Sequence, residues 1–286
     1  MAISRSQLVK ELEPGLNALF GLEYARYDQE WKGIFDSETS DRAFEEEVEL
    51  SGFGNAPVKS EGAGIQYDDA AEAHTSRYSH ETIALAFAIT EEAVEDNLYD
   101  SLSSRYTKAL ARSMSNAKEI KGANILNRAF NSSYTGGDGL ELCSTAHLTV
   151  SGGNYKNELT TAADLNETSL EQALIDIAGL IDNRGLKIAV KASKMIIPVN
   201  LQFVAERLMK TELRTGSADN DVNAIRSSGM IPGGYDVNHY LTDTDAWFLK
   251  TDAPNGLKHF NRTPIKTAME GDFDTGNVRY KARERY

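Results

Sequence analysis

Cys143 and His147 stand four residues apart and are the one pairing in this chain that could supply a nucleophilic thiol and its base. The stretch around them, 132–164, is rich in Gly, Ser, Asn and Thr and has no helical periodicity to hold both side chains on one face. The bland expectation for a lone cysteine, a small buried filler, therefore stands ahead of a soluble Cys/His hydrolase. His74 and His80 share one face of an expected strand, but six residues of extended chain separate them by about 20 Å, too far to bind one metal ion. His239 and His259 are single residues on apparent strands. Asp219, Asp221 and Asn223 imitate the start of a calcium loop, yet its sixth and twelfth positions are Ala224 and Met230 instead of Gly and Glu, so turn and helix capping is expected there. Gly62-Ala63-Gly64 lacks the third glycine and the strand-to-helix context of a dinucleotide fingerprint, and no phosphate-binding G-x-x-x-x-G-K occurs. The expectation is no catalytic residue, no cofactor and no metal.

Composition narrows the classes further. The chain has 286 residues, 41% of them hydrophobic, which is enough for one large or two medium domains with a real core. A net charge of -13 argues against broad binding to nucleic acid or anionic membrane. No apolar run approaches a membrane span, and the first 20 residues interleave charges with leucines, unlike a signal peptide. One cysteine permits no internal disulfide, and a reducing cytoplasm is expected.

The elements that would position any site begin with residues 43–90, which read as a long two-stranded arm. Gly52, Gly54, Gly62 and Gly64 loosen its tip, where Lys59 also sits. Its base is apolar on one side: Ile83, Leu85, Phe87 and Ile89 alternate with Ala84, Ala86 and Ala88. Further out, the first limb carries Glu45, Glu46, Glu47 and Glu49, and no hydrophobic outer face is apparent. Such a ribbon is marginal alone and is expected to lie on a partner.

A weak amphipathic helix is expected in the first 42 residues. Thr90 should cap a short helix running to about 99. From 101 to 131 there is no proline and only Gly122, so a helix of about 45 Å is permitted. Leu102, Tyr106, Ala109, Ser113, Ala117, Ile120 and Asn124 form its expected seam, with Arg105, Lys108, Arg112 and Lys118 to solvent. Asn166 or Thr168 should cap the next helix, which Gly185 should end. Leu186, Ile188 and Val190 alternate as a strand, residues 195–197 form a buried run, and Pro198 opens a helix. In the last limb Val278, Tyr280 and Ala282 face one way and Arg279, Lys281, Arg283 and Arg285 the other. These basic residues are expected to pair with an acidic segment, with Glu45 to Glu49 of a neighbouring copy the candidate.

The stretches LKIAVKASKMIIPVNLQFVAERLM (186–209), VNAIRSSGMIPGGYDVNHYLTDTDAWFLKTDAPNGLKHFNR (222–262) and DFDTGNVRYKARERY (272–286) resemble tailed-phage major capsid proteins of the Hong Kong 97-type fold, closest in flavour to Mu-like prophage head subunits. The resemblance implies an α+β chain with an N-terminal arm (1–42), an extended loop (43–90), a peripheral domain (91–186) with a spine helix (100–131), an axial domain (187–262) and a return to the peripheral domain (263–286). It implies a non-enzymatic subunit forming hexamers and pentamers of an icosahedral shell around double-stranded DNA, without sequence-specific DNA contacts, alongside separate scaffold, portal and decoration proteins. It places the protein in the virion after synthesis in a bacterial cytoplasm. Some members join a loop lysine to a neighbour's asparagine; Lys59 is the lysine present in this tip. A tail-tube or decoration protein is the structural alternative.

Overall fold

The computed structural model describes residues 5–90, 92–93, 99–214, 221–272 and 275–286. The first elements in the chain are α1 (Arg5–Arg26), α2 (Trp31–Ile34), β1 (Asp36–Thr39), β2 (Phe44–Leu50), β3 (Glu72–Ser79), β4 (Thr82–Ile89) and α3 (Tyr99–Asn127). There follow β5 (His147–Leu148), β6 (Asn154–Tyr155), α4 (Glu167–Ala178), β7 (Ala192–Pro198), α5 (Gln202–Lys210) and α6 (Ala224–Ser228). The last strands are β8 (Tyr235–Asn238), β9 (Phe248–Thr251), β10 (Lys258–Asn261), β11 (Thr263–Gly271) and β12 (Val278–Arg285). They divide into two compact units: Met1–Phe44, Ser79–Gly122 and Leu257–Tyr286 in the first, Glu45–Tyr78 and Ala123–Gly256 in the second.

The first unit is built on an antiparallel sheet ordered β11-β12-β4. Period-two alternation turns Tyr280 and Ala282 of β12 inward, and they meet Leu16 and Phe20 of α1 and Leu110, Ala111 and Met114 of α3, with Ile83 and Phe87 of β4 alongside. The apolar segment expected at the base of the arm is thus a separate strand of this sheet, because the strand is interrupted at His80 and Glu81 and Glu81 exchanges backbone hydrogen bonds with Tyr286. Beside the sheet, β1 pairs in parallel with β10.

Helix α3 is 29 residues long, but its buried stripe lies one residue from the expected seam. Ser103, Thr107, Leu110, Ala111, Met114 and Glu119 are buried, whereas Tyr106 is 48% and Ile120 43% exposed. Small side chains at 103, 107 and 111 let the helix lie close to its neighbours, and polar partners carry the rest. Gly122 has a steric reason: a Cβ there would sit 2.8 Å from Cβ of Trp31.

Lys118, expected in solvent, is only 11% exposed. Its ammonium lies 4.8 Å from the Trp31 ring centroid and 4.7 Å from that of Tyr286, and pairs with buried Glu284 at 3.3 Å. Two aromatic faces and a carboxylate replace the water that the cation loses. Tyr24 donates its hydroxyl to the same Glu284 oxygen at 3.3 Å. Burial raises the Glu284 carboxyl above its ordinary range, with Lys118 opposing. Nearby, Glu119 accepts the backbone N–H of Trp31 at 2.9 Å, and burial lifts its pKa to about 7. His259 packs on Trp31 with centroids 4.3 Å apart; burial first, and then Lys118, lower its pKa to about 4.

The second unit has its own core of Leu165, Leu170, Leu174, Met195, Ile197, Ala205 and Ile225 around the sheet β8-β7-β9. Asn166 caps α4 through a reciprocal pair with Ser169, but the helix ends at Gly179 and not at Gly185, which occupies a separate turn at φ 84°. The strand expected at 186–190 is absent: only an Ile181–Lys187 bridge forms there, and Ala189 at φ 51° breaks the extended backbone. Asn223 caps α6, accepting from the N–H groups of Ile225 and Arg226. Thr90 accepts the Ala93 N–H at 3.4 Å; the rest of the helix expected after it, and Asp219, lie outside the described residues.

Candidate assembly surfaces

Strands β2 and β3 pair as a two-stranded ribbon. Its pairing is prolonged by Ser51, whose N–H bonds the Ala71 carbonyl at 2.8 Å while its hydroxyl accepts the Ala71 N–H at 2.9 Å. Beyond them, residues 52–70 contain no strand or helix. Gly52, Gly54, Lys59, Gly62 and Gly64 all fall in this loop. Of its four glycines only Gly62 needs the left-handed region, at φ 80°, in the turn closed by the Ala63 N–H to the Ser60 carbonyl.

The root of the loop is tied to its own unit, which corrects the expectation of an arm unable to satisfy itself. Arg184 pairs with Asp68 and donates to the Asp69 carbonyl, at 2.9 and 2.8 Å. Asp68 in turn accepts the Gly54 N–H at 2.7 Å, and that bond, opposed by partial burial and aided by Arg184, lowers its pKa. Asn183 donates to Glu49, and Glu46 lies 3.7 Å from Arg77. Gly137 lets this unit approach the ribbon: a Cβ there would be 2.9 Å from the Thr75 carbonyl oxygen.

The ribbon and its loop also expose apolar side chains, against the expectation of no hydrophobic outer face. Phe44, Val48 and Leu50, at alternate positions of β2, are exposed, and in the loop Phe53, Ile65, Val58 at 98% and Tyr67 at 92% stand in solvent. Sequence reading overlooked them because glycines and charges separate them, so no periodic run marks them. Seven large apolar side chains exposed along one ribbon and its loop are candidates for burial against a partner.

On the last limb, Arg279, Lys281 and Arg283 project from the exposed face of β12. Arg279 is paired with Asp272. The register sets Arg283 opposite Lys266 and Lys281 opposite Ala268, with Ala84 and Ala86 of β4 on the other side. Arg285 lies partly buried at the strand end, its Nε without a partner among the described residues. Glu284 is the residue in this limb that sequence reading missed; its inward position in the alternation was the available signal.

Among the described residues, no hydrogen bond joins Cys143 to His147. Burial, then Glu158, push the Cys143 thiol up to about 12, so the nucleophilic thiolate is disfavoured. His147 bonds Asp138 through Nδ1 at 2.5 Å and stacks on Tyr155. Burial opposes ionisation of Asp138, but hydrogen bonds from His147 and Leu140 hold its pKa below the usual value. Among the described residues no group of His, Cys, Asp and Glu could hold a metal ion, and no helix is long and apolar enough to cross a membrane.

Solved capsids share this architecture. The chain is similar to the capsid of bacteriophage JBD30, with TM-score 0.55, 10% identity, and 74% of this chain and 90% of that chain covered. It is similar to the procapsid of the same phage at TM-score 0.56 and 12% identity, covering 84% of this chain and 100% of that one. The mature capsid of bacteriophage PhiM1 gives TM-score 0.53 and 12% identity, with 91% and 83% covered. At these identities the likeness is one of fold, the α+β Hong Kong 97-type capsid fold. No curated protein matches the sequence. The sequence model of the phage capsid proteins, however, matches residues 72–286, three quarters of the chain, and with that match the chain belongs to the phage capsid protein family.

Proposed function

We propose that this chain is the major head subunit of a tailed double-stranded DNA phage or prophage, forming hexamers and pentamers that close into an icosahedral shell. The carrying observation is the 52–70 loop, which presents Phe53, Val58, Ile65 and Tyr67 to solvent and has no core of its own. A loop of this length without secondary structure is uncommon in a compact domain unless it has a use. Full burial of such side chains contributes about 1.5–3 kcal/mol each, so four against a neighbouring copy offer about 6–12 kcal/mol per arm before ordering costs. Repetition around a capsomer multiplies that contribution. The same hairpin serves as the extended loop, α3 as the spine helix, and 187–262 as the axial domain.

Charge has a narrower part than the sequence suggested. Glu46, Glu49 and Arg279 have partners in their own chain, which leaves Lys281 and Arg283 as the basic groups best placed to receive an acidic neighbour. The subunit is non-enzymatic, is made in the host cytoplasm, and works beside separate scaffold and portal proteins. The test is deletion of 51–64: a soluble subunit that no longer forms shells is expected, and normal shells from the deletion would overturn the reading.

A further inference from the structure

The negative charge is unevenly distributed. The second unit holds 24 acidic and 13 basic residues, the first 19 and 17. Within the near-neutral first unit, Arg105, Lys108 and Arg112 stand on the exposed face of α3. They lie at steps of three and four, so successive side chains are about 5–6 Å apart and the row extends about 10 Å along the axis. Like charges at these spacings destabilise a helix, and no described residue forms a hydrogen bond or ion pair with any of the three. Lys108 and Arg112 also border a groove of about 480 Å³ between α1 and α3, whose other lining includes Tyr27, Ser113 and Asn116. The one carboxylate in the groove, Glu23, already accepts the Tyr27 hydroxyl at 3.0 Å and lies 3.7 Å from Arg26.

We infer that this row and groove contact the phosphodiester backbone of double-stranded DNA. Cations in a row, flanked by neutral hydroxyl and amide donors, suit phosphate oxygens and carry no device for reading base edges. This departs from the argument against nucleic-acid binding that net charge alone suggests. The net charge of -13 keeps the contact weak in a single subunit; many copies facing one confined polymer make it count. The inference rests on the capsid reading only for the source of the DNA, because binding and shell formation are measured separately.

The test uses the full-length chain, kept unassembled as judged by light scattering, and a fluorescent 20-base-pair duplex followed by anisotropy. Three phosphate contacts predict a slope of about -2.7 in log affinity against log salt, hence about a 40-fold loss between 50 and 200 mM. The triple variant Arg105→Gln, Lys108→Gln, Arg112→Gln should lose that salt-dependent part while keeping its circular dichroism and Tm, whereas Arg105→Lys with Arg112→Lys should retain it. No duplex binding by the wild type at 50 mM salt would overturn the inference. So would equal affinity and slope in the triple variant, or a triple variant whose only change is self-association, since that would assign the row to a second copy.

Discussion

Substituting Glu119→Gln should remove a pH dependence of the first unit that His259 opposes. The folded chain holds the Glu119 proton more tightly than the unfolded chain, its pKa rising from 4.5 to about 7 through burial. Its stabilising contribution is therefore complete below pH 4.5 and is lost as pH rises through about 7. At 1.36 kcal/mol per pKa unit the loss is about 3 kcal/mol. His259 works in the other sense, because its pKa falls from 6.5 to about 4 on folding. Its contribution is complete above pH 6.5 and is lost as pH falls through about 4, again by about 3 kcal/mol. The two slopes oppose each other between about pH 4.5 and 6.5. Glutamine keeps an oxygen to accept the Trp31 N–H but cannot ionise. Urea unfolding of the unassembled chain, followed by Trp31 fluorescence in a Trp247→Phe background, reads the unit directly. The stability of Glu119→Gln relative to its parent should improve by about 3 kcal/mol between pH 4.5 and 8, and His259→Phe should shift the profile in the opposite direction. Parallel profiles for parent and Glu119→Gln would refute the reasoning.

Lys118→Met leaves Glu284 buried without its cation and should cost about 3–5 kcal/mol in urea unfolding, with much of the loss recovered when Glu284→Gln is added. Gly122→Ala drives a methyl against Trp31 and should lower stability by about 1–3 kcal/mol, while Gly52→Ala, with nothing within 4 Å, should leave Tm unchanged. The Cys143 thiol, pushed up to about 12, should resist alkylation at pH 8 in the folded chain and react at once in urea, and Cys143→Ala should leave particle formation intact.

Local signals made much of the fold legible. Absence of proline marks α3, the Asn166 cap marks the start of α4, and the apolar run around Met195 marks β7. What escaped depends on partners far away in sequence. Lys118 reads as a solvent cation because nothing near it reveals Trp31, Tyr286 or Glu284, and those three remove it from water. The α3 seam was misplaced by one residue for the same reason: Ser103, Thr107 and Glu119 look polar but find room or partners inside. β1 pairs with β10 across more than 200 residues, a register no local pattern encodes. In the hairpin the glycine-rich tip was readable, but the tether from Arg184 to Asp68 was not, since it joins positions 116 apart.

Electron cryo-microscopy of particles formed by the full chain tests the central claim most directly. Closed shells are expected in which each 52–70 loop lies on an adjacent subunit, with Phe53, Val58, Ile65 and Tyr67 buried there. Tubes, or shells in which these four side chains remain in solvent, would contradict it.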